Sequence, residues 1–286
     1  MRTTVVLKKA VASEDVKTAV ERYVDRFEQN QPGPAAPQDE AVINKEYYTL
    51  VTDFYLNGWG KLFHFGVRKK GESLQDSLLR HEVFLADKIR LAQGEKCLDL
   101  GCGVGGPMMN MAGRTGSYIT GINNTTYQIK KAKEFVQEEG LQNKCSFVEC
   151  NWMHIPLLSG SMDKAYAIEA TCHASKKIVD LFKETHRLLK PGGLFGGYDW
   201  ALTDKFIPGN AKHEAIKKQI ELGNGIADLN YIDDVKNALT QAGFEVLECR
   251  DVALDSDTEV PWYLPLKGEG FLSLGWMELG MRHVTN

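Results

Sequence analysis

Residues Lys96-Cys-Leu-Asp-Leu-Gly-Cys-Gly-Val-Gly-Gly106 constrain this chain more than any other stretch, because they read as a buried strand, a glycine-rich turn and the start of a helix. In an α/β sheet such a junction is where a nucleotide-like ligand sits. Glycines at 101, 103 and 105 remove Cβ atoms so that backbone can approach a ligand, and the following helix start presents free N–H groups. The spacing Gly101-x-Gly103-x-Gly105-Gly106 departs from the G-x-G-x-x-G of dinucleotide sites. Asp99, two residues before the first glycine, would repel a pyrophosphate; a nucleoside bearing a cationic amino acid suits it better. At this stage a tight turn that binds nothing remains an alternative.

From Lys96 onward strand and helix patterns alternate, which predicts an α/β, doubly wound, mostly parallel sheet. The strand candidates are Lys96–Leu100, Tyr118–Ile122, Cys145–Cys150, Lys164–Glu169, Leu194–Trp200 and Phe244–Val252. Helical patterns separate them at 106–113, 125–139, 174–189, 211–222 and 231–241, with Gly140 and Gly243 as stop signals. Lys190-Pro-Gly-Gly193 reads as the turn into the fifth strand. Upstream, Val16, Val20, Tyr23, Val24 and Phe27 share one face of a helix over 11–29, which the proline-rich stretch 31–37 ends. A helical pattern resumes from Asn44 to Leu56, runs into the aromatic cluster of residues 55–65, and is followed by a helix from Ser73 to Arg90. The expected segments are 1–43 (helix and linker), 44–92 (helical and aromatic-rich), 93–254 (sheet core) and 255–286. After Val252, residues 271–280 are the candidate for a closing strand, weakened by Gly275.

The 286 residues are 43% hydrophobic and 25% charged, an ordinary globular composition, and a net charge of −4 gives no reason to expect a nucleic-acid partner. The six cysteines form no CxxC pair and lie mostly in apolar runs, which predicts reduced core residues, a cytoplasmic setting and no metal site. No apolar run reaches the roughly 18 residues needed to cross a bilayer.

The glycine-rich stretch resembles the first motif of class I S-adenosyl-L-methionine (SAM) dependent methyltransferases. That resemblance implies a cofactor site of Asp99, Gly101, Cys102, Gly103 and Gly105, with Asn123, Asn124 and Gln128 after the second strand and Asn151, Trp152 and Glu169 after the third and fourth. Asn123 or Asn124 would face ribose hydroxyls; alternatively the two asparagines cap the helix that begins near Thr125. Further runs are more specific: Tyr47-Tyr-Thr-Leu-Val-Thr-Asp-Phe-Tyr55, Gly58-Trp-Gly60 with Phe63-His-Phe65, Ile168-Glu-Ala-Thr-Cys-His-Ala174, Ile220-Glu-Leu-Gly-Asn-Gly225 and Pro261-Trp-Tyr263. Over roughly 44–266 these resemble the sterol 24-C-methyltransferase family.

The resemblance implies methyl transfer from SAM to the side-chain alkene of a sterol, with a small-molecule partner only; peripheral membrane association, at the endoplasmic reticulum for instance, and homo-oligomerisation stay open. An alkene is a weak nucleophile, so positioning in a dry pocket supplies much of the rate. The carbocation that results is stabilised by aromatic faces, which do not attack it. Tyr55, Trp59, Phe63 and Phe65 are the residues implied for that role, with Tyr55 also a catalytic candidate. Glu169 and His173 are the implied bases, and His64, His81 and Glu82 further candidates. This chain departs from the family where Tyr-Glu-Tyr-Gly-Trp-Gly is replaced by Tyr55-Leu56-Asn57-Gly58-Trp59-Gly60, where Val83 replaces a second histidine, and in a shortened segment after Tyr263. Two other readings remain: methylation at another position such as carbon 4, favoured by the changes at Leu56 and Asn57, and a non-catalytic SAM- or sterol-binding paralogue. A nicotinamide dehydrogenase is disfavoured by the glycine spacing.

Overall fold

The computed structural model describes residues 18, 20, 21, 23–25 and 40–254. Its sheet has five strands: β1 (Lys96–Leu100), β2 (Tyr118–Asn123), β3 (Cys145–Glu149), β4 (Met162–Ile168) and β5 (Leu189–Tyr198). They lie in the order β3-β2-β1-β4-β5 and each described pairing is parallel; helices make the other crossovers, while residues 150–161 carry the chain from β3 to β4 without one. The order reverses between β1 and β4, and the crevice above their carboxyl ends is where such a sheet binds its ligand.

Helices α1 (Glu40–Gly58) and α2 (Leu74–Lys88) precede the sheet; α3 (Gly106–Thr115), α4 (Thr126–Glu138) and α5 (Ile178–Leu188) alternate with its strands, and α6 (Ala211–Asn224) and α7 (Ile232–Gln241) follow. Two apolar clusters cover the two faces. Leu98, Leu100, Ile122, Leu181 and Phe182 centre one, and Cys97, Met108, Ile119 and Tyr166 the other. This alternation along β1 puts Cys97 and Leu98 on opposite faces, which is why the whole strand is apolar apart from Lys96 and Asp99.

Most expected elements are present, with local differences. Ser73 caps α2 as its sequence implies, its Oγ accepting from the Asp76 N–H at 3.1 Å. The helix expected from Asn44 starts at Glu40. The pattern at 174–189 opens as a 3-10 turn, Thr171–Lys177, with Ser175 at φ 39°, and becomes α-helical at Ile178. Lys190–Gly193 is no free turn: it lies within β5, where the register against β4 slips between Met162 and Lys164 and Gly192 sits at φ +77°.

The sixth strand is a correction. Residues 244–251 pair with no described strand, and Phe244 instead packs its ring on Phe195 of β5 (5.8 Å) and His186 of α5 (5.2 Å). The side-chain burial that made this stretch strand-like is met by aromatic packing rather than by a ladder. The closing strand expected at 271–280, the Pro261-Trp-Tyr263 run and most of the helix expected at 11–29 lie outside the described residues.

Candidate active site

The loop after β1 is built by backbone geometry. Gly101, Gly103 and Gly105 all have positive φ (79°, 53° and 83°), which side-chain-bearing residues rarely adopt. The N–H groups of Gly101 and Cys102 both donate to the Ile122 carbonyl at 3.0 Å, which pulls the loop down onto the end of β2. A Cβ on Gly101 would sit 2.7 Å from that of Ala170, in the loop after β4, with the Trp152 ring 3.6 Å away; one on Gly103 would meet nothing. The two loops of the switch point therefore close on each other at Gly101, and space opens above Gly103. Cys102 is buried beneath, its Sγ 3.8 Å from the Gly103 carbonyl oxygen.

Asp99 is buried at the floor of this loop and accepts from the Tyr166 hydroxyl at 2.8 Å. Burial raises its carboxyl to about 7, against the hydrogen bond from Tyr166 that lowers it. Asn123, at the end of β2, turns its Nδ2 to Gln128 Oε1 (2.7 Å) and toward the Gly103 carbonyl (3.4 Å). Gln128 Nε2 is buried without an acceptor. An unmet donor and a Cβ-free cradle beside a buried carboxylate fit a ligand with hydroxyls and a cationic group. The asparagines do not cap α4: Thr125 holds that position, Asn123 Oδ1 takes the Asn124 N–H, and the Asn124 amide donates to Ala41 of α1 (3.0 Å). A groove of about 650 Å³ runs on from there between α1 and the ends of β2 and β3, past Lys45, Thr49, Asn124, Glu149 and Asn151.

A second, smaller cavity of about 60 Å³ shares no lining residue with this groove. Tyr55, Trp59, Phe63, His64, Phe65, Glu169 and His173 all line it, so residues more than a hundred positions apart meet as the family resemblance implies. The rings pack edge to face or tilted: Tyr55 on Phe63 at 5.2 Å, Trp59 on Phe65 at 5.4 Å, Phe65 on Trp200 at 5.5 Å. Glu169 follows β4 at φ 48°, a strained conformation for a residue with a side chain. Its Oε1 accepts the Phe65 N–H at 2.6 Å and its Oε2 the Trp200 Nε1–H at 2.9 Å. Burial pushes the carboxyl up to about 7, while the charge of His64 and the two donors pull the other way.

His64 reaches Glu82 Oε1 with Nε2 (3.0 Å) and the Phe65 carbonyl with Nδ1 (2.9 Å), two acceptors that hold it as an imidazolium. Burial alone would lower its pKa; Glu82, Glu169 and the carbonyl outweigh that and the net shift is upward. Glu82, in turn, takes the Asn110 amide at 2.8 Å and serves as the buried counter-ion rather than as a lining group. His81 is a correction: it does not line the cavity but stacks on Tyr198 at 3.5 Å, and burial and the neighbouring His64 charge drive it down to about 3.

Sequence reasoning missed Tyr48, Cys172, Trp200, Asn224 and Ile226, which complete the lining. Trp200 stands just past the carboxyl end of β5, a position that by itself marks ligand contact in such sheets. Cys172 and Asn224 lie inside runs already singled out. One seam joins the two sites: a Cβ on Gly106, the first residue of α3, would overlap the Lys61 carbonyl, so the aromatic segment lies directly on the glycine loop.

A five-stranded parallel sheet with a glycine cradle at its switch point is the architecture of the class I SAM-dependent methyltransferases. Residues 98–196 match the family model for a methyltransferase domain. In structure, the chain is similar to a geranyl diphosphate C-methyltransferase from Streptomyces coelicolor A3(2), with a TM-score of 0.68 and 19% identity, over 88% of this chain and 95% of that one. In sequence, it is 45% identical to a cycloartenol-C-24-methyltransferase of Arabidopsis thaliana over 90% of this chain and 76% of the relative. It is 43% identical to a sterol 24-C-methyltransferase of Saccharomyces cerevisiae, over 88% of this chain and 66% of the relative. The chain belongs to the sterol 24-C-methyltransferase family.

Proposed function

We propose that this chain transfers a methyl group from SAM to carbon 24 in the side-chain alkene of a sterol, with SAM on the glycine-loop side and the alkene in the aromatic cavity. The single observation that carries the reading is that Tyr55, Trp59, Phe63, Phe65 and Trp200 enclose one space with the buried carboxyl of Glu169, adjacent to the cradle. SAM supplies an electrophilic methyl group on a sulfonium. Asp99 and the loop Gly101–Gly105 hold its charged part, Asn123 and Gln128 meet its ribose, and Asn124, Asn151 and Trp152 flank its base.

On the acceptor side, π faces and the pinned carboxylate of Glu169 stabilise positive charge on the sterol without bonding to it. Both oxygens of Glu169 are held by donors, which keeps them from collapsing onto a cation. The His64–Glu82 pair holds the Phe65 carbonyl and so fixes the backbone at the cavity wall. At about 60 Å³ the cavity takes only the reacting end of an acceptor, below the roughly 300–1,000 Å³ of whole-ligand sites. Residues 44–92 form the acceptor-side cover and 93–254 the SAM-binding core in this reading.

The changes at positions 56 and 57 do not favour carbon 4. Neither residue lines the cavity; Asn57 is exposed and its amide bonds back to the Asp53 carbonyl at 2.8 Å. No helix of the described residues is long and apolar enough to cross a membrane. A sterol acceptor partitions into bilayers, so the reading implies peripheral association with a membrane. The test is incubation with labelled SAM and a panel of unsaturated sterols, with product masses and positions read by mass spectrometry. One methyl added at a side-chain alkene is expected; a label at carbon 4, or no labelled sterol at all, overturns it.

A further inference from the structure

Tyr48, which has no role above, forms a polar pair with His173, one of the two bases that the resemblance implies. Tyr48 lies on α1 and His173 in the turn after β4, and both line the cavity beside Glu169. His173 Nδ1 is 3.1 Å from the Gly225 carbonyl oxygen. A carbonyl only accepts, so Nδ1 carries the hydrogen. In the neutral ring Nε2 is then an acceptor, and the Tyr48 hydroxyl, 3.0 Å away, donates to it. The rings meet edge-on, 5.5 Å apart at 75°, which fixes this geometry.

Resting on the methyl-transfer reading, we propose that Tyr48 takes the proton from the methylated sterol cation and passes its own hydroxyl proton to His173. A C–H bond next to the cationic carbon breaks and its electron pair closes a C=C bond. The proton binds Tyr48 Oη while the original Oη–H proton moves to His173 Nε2. Tyr48 ends neutral and His173 ends as an imidazolium with Nδ1–H still on the Gly225 carbonyl; it returns one proton to water once the cavity opens. The surroundings suit both states of the ring. Burial lowers the His173 pKa, so it rests neutral and able to accept; the Asp199 charge and the Gly225 carbonyl favour the cation that forms. Asp199 is itself fixed, its Oδ2 accepting from Thr171 Oγ1 at 2.6 Å and from the Cys172 N–H at 2.9 Å. The other titratable groups facing the pair are Tyr47, Tyr55, Cys172 and Glu169. Of these Glu169 already has both oxygens engaged, and Tyr55 donates to Tyr47, whose own hydrogen goes to the Gly223 carbonyl.

The experiment compares wild type, Tyr48→Phe and His173→Gln with SAM and a 24-alkene sterol, reading methylated alkene against water-captured methylated alcohol. The ratio is read per turnover, so a smaller folded fraction does not move it. In Tyr48→Phe, alkene formation should fall by about 10²-fold, SAM consumption less, and alcohol should account for the difference. His173→Gln should shift the ratio the same way, with SAM affinity within about twofold in both variants. A wild-type alkene-to-alcohol ratio in Tyr48→Phe overturns the relay and leaves methyl transfer intact. A wild-type enzyme that methylates no sterol overturns the methyl-transfer reading itself and the relay with it.

Discussion

The cofactor cradle and the acceptor cavity share a seam but are made in opposite ways. The cradle is local: seven consecutive residues, 99–105, supply its carboxylate and its glycines, and backbone geometry does the shaping. The cavity is non-local: α1, the 59–65 segment, the turn after β4, the end of β5 and the end of α6 each contribute side chains. A site made of backbone tolerates changes around it as long as the turn survives. A site assembled from five elements depends on each packing correctly, and can be retuned for a different acceptor without disturbing the cradle.

The largest expected effect comes from breaking the seam itself. Gly106→Ala places a methyl group on the Lys61 carbonyl, which is backbone and cannot swing aside. Separating the 59–65 segment from the loop should cost about 3 kcal/mol or more in urea denaturation. SAM affinity and sterol turnover should fall together. Loss of turnover at unchanged SAM affinity would mean that the two regions do not share this support.

Each region also holds one buried carboxyl raised to about 7, Asp99 in the cradle and Glu169 in the cavity. A carboxyl whose folded pKa lies above its unfolded value stabilises the fold most below the unfolded value, near 4, and that stability is lost as pH rises through 7. Between pH 5 and pH 8 each group should remove about 3 kcal/mol, at 1.36 kcal/mol per pKa unit. Asp99→Asn keeps an acceptor for Tyr166 and cannot titrate, so its fall in stability over that range should be smaller than that of wild type by about 3 kcal/mol. An unchanged pH slope would show that Asp99 is not the carboxyl responsible.

The same contrast explains what could be read from the sequence. The cradle was legible because glycine spacing and a strand pattern encode it directly, and β1 to β4 followed from alternation. The cavity was legible only through resemblance, and only for residues inside recognised runs. Tyr48 sits in such a run, yet nothing in an α1 pattern tells which of two adjacent tyrosines faces His173. His81 has the same chemistry as His64 and its ring lies only 6.0 Å from that of His64, but it stacks on Tyr198 and stays out of the lining. The expected sixth strand failed for a related reason: the apolar residues scattered through 244–252 ask only for partial burial, and Phe244 finds it on Phe195 without joining the sheet.

The smallest effect sharpens the comparison most, because it should touch one region and spare the other. Trp59 is buried in the aromatic wall, edge-on to Phe65 and tilted against Tyr55 at 6.3 Å, and its Nε1–H makes one long bond of 3.2 Å to the His64 carbonyl. Trp59→Phe keeps a ring on Phe65 and gives up that bond and the stronger π face of the indole. A cation held against a smaller quadrupole loses about 1–1.5 kcal/mol, which is about tenfold in kcat/KM for the sterol. The atoms that press most closely on Gly106 belong to Lys61 and Leu62, so SAM affinity measured by calorimetry should stay within about twofold. Because the cation exists only after the methyl group has begun to move, the loss should fall on kcat more than on KM. A variant that raises the sterol KM at constant kcat would assign Trp59 to packing against the ground-state acceptor, and one that weakens SAM in the same proportion would join the cavity to the cradle.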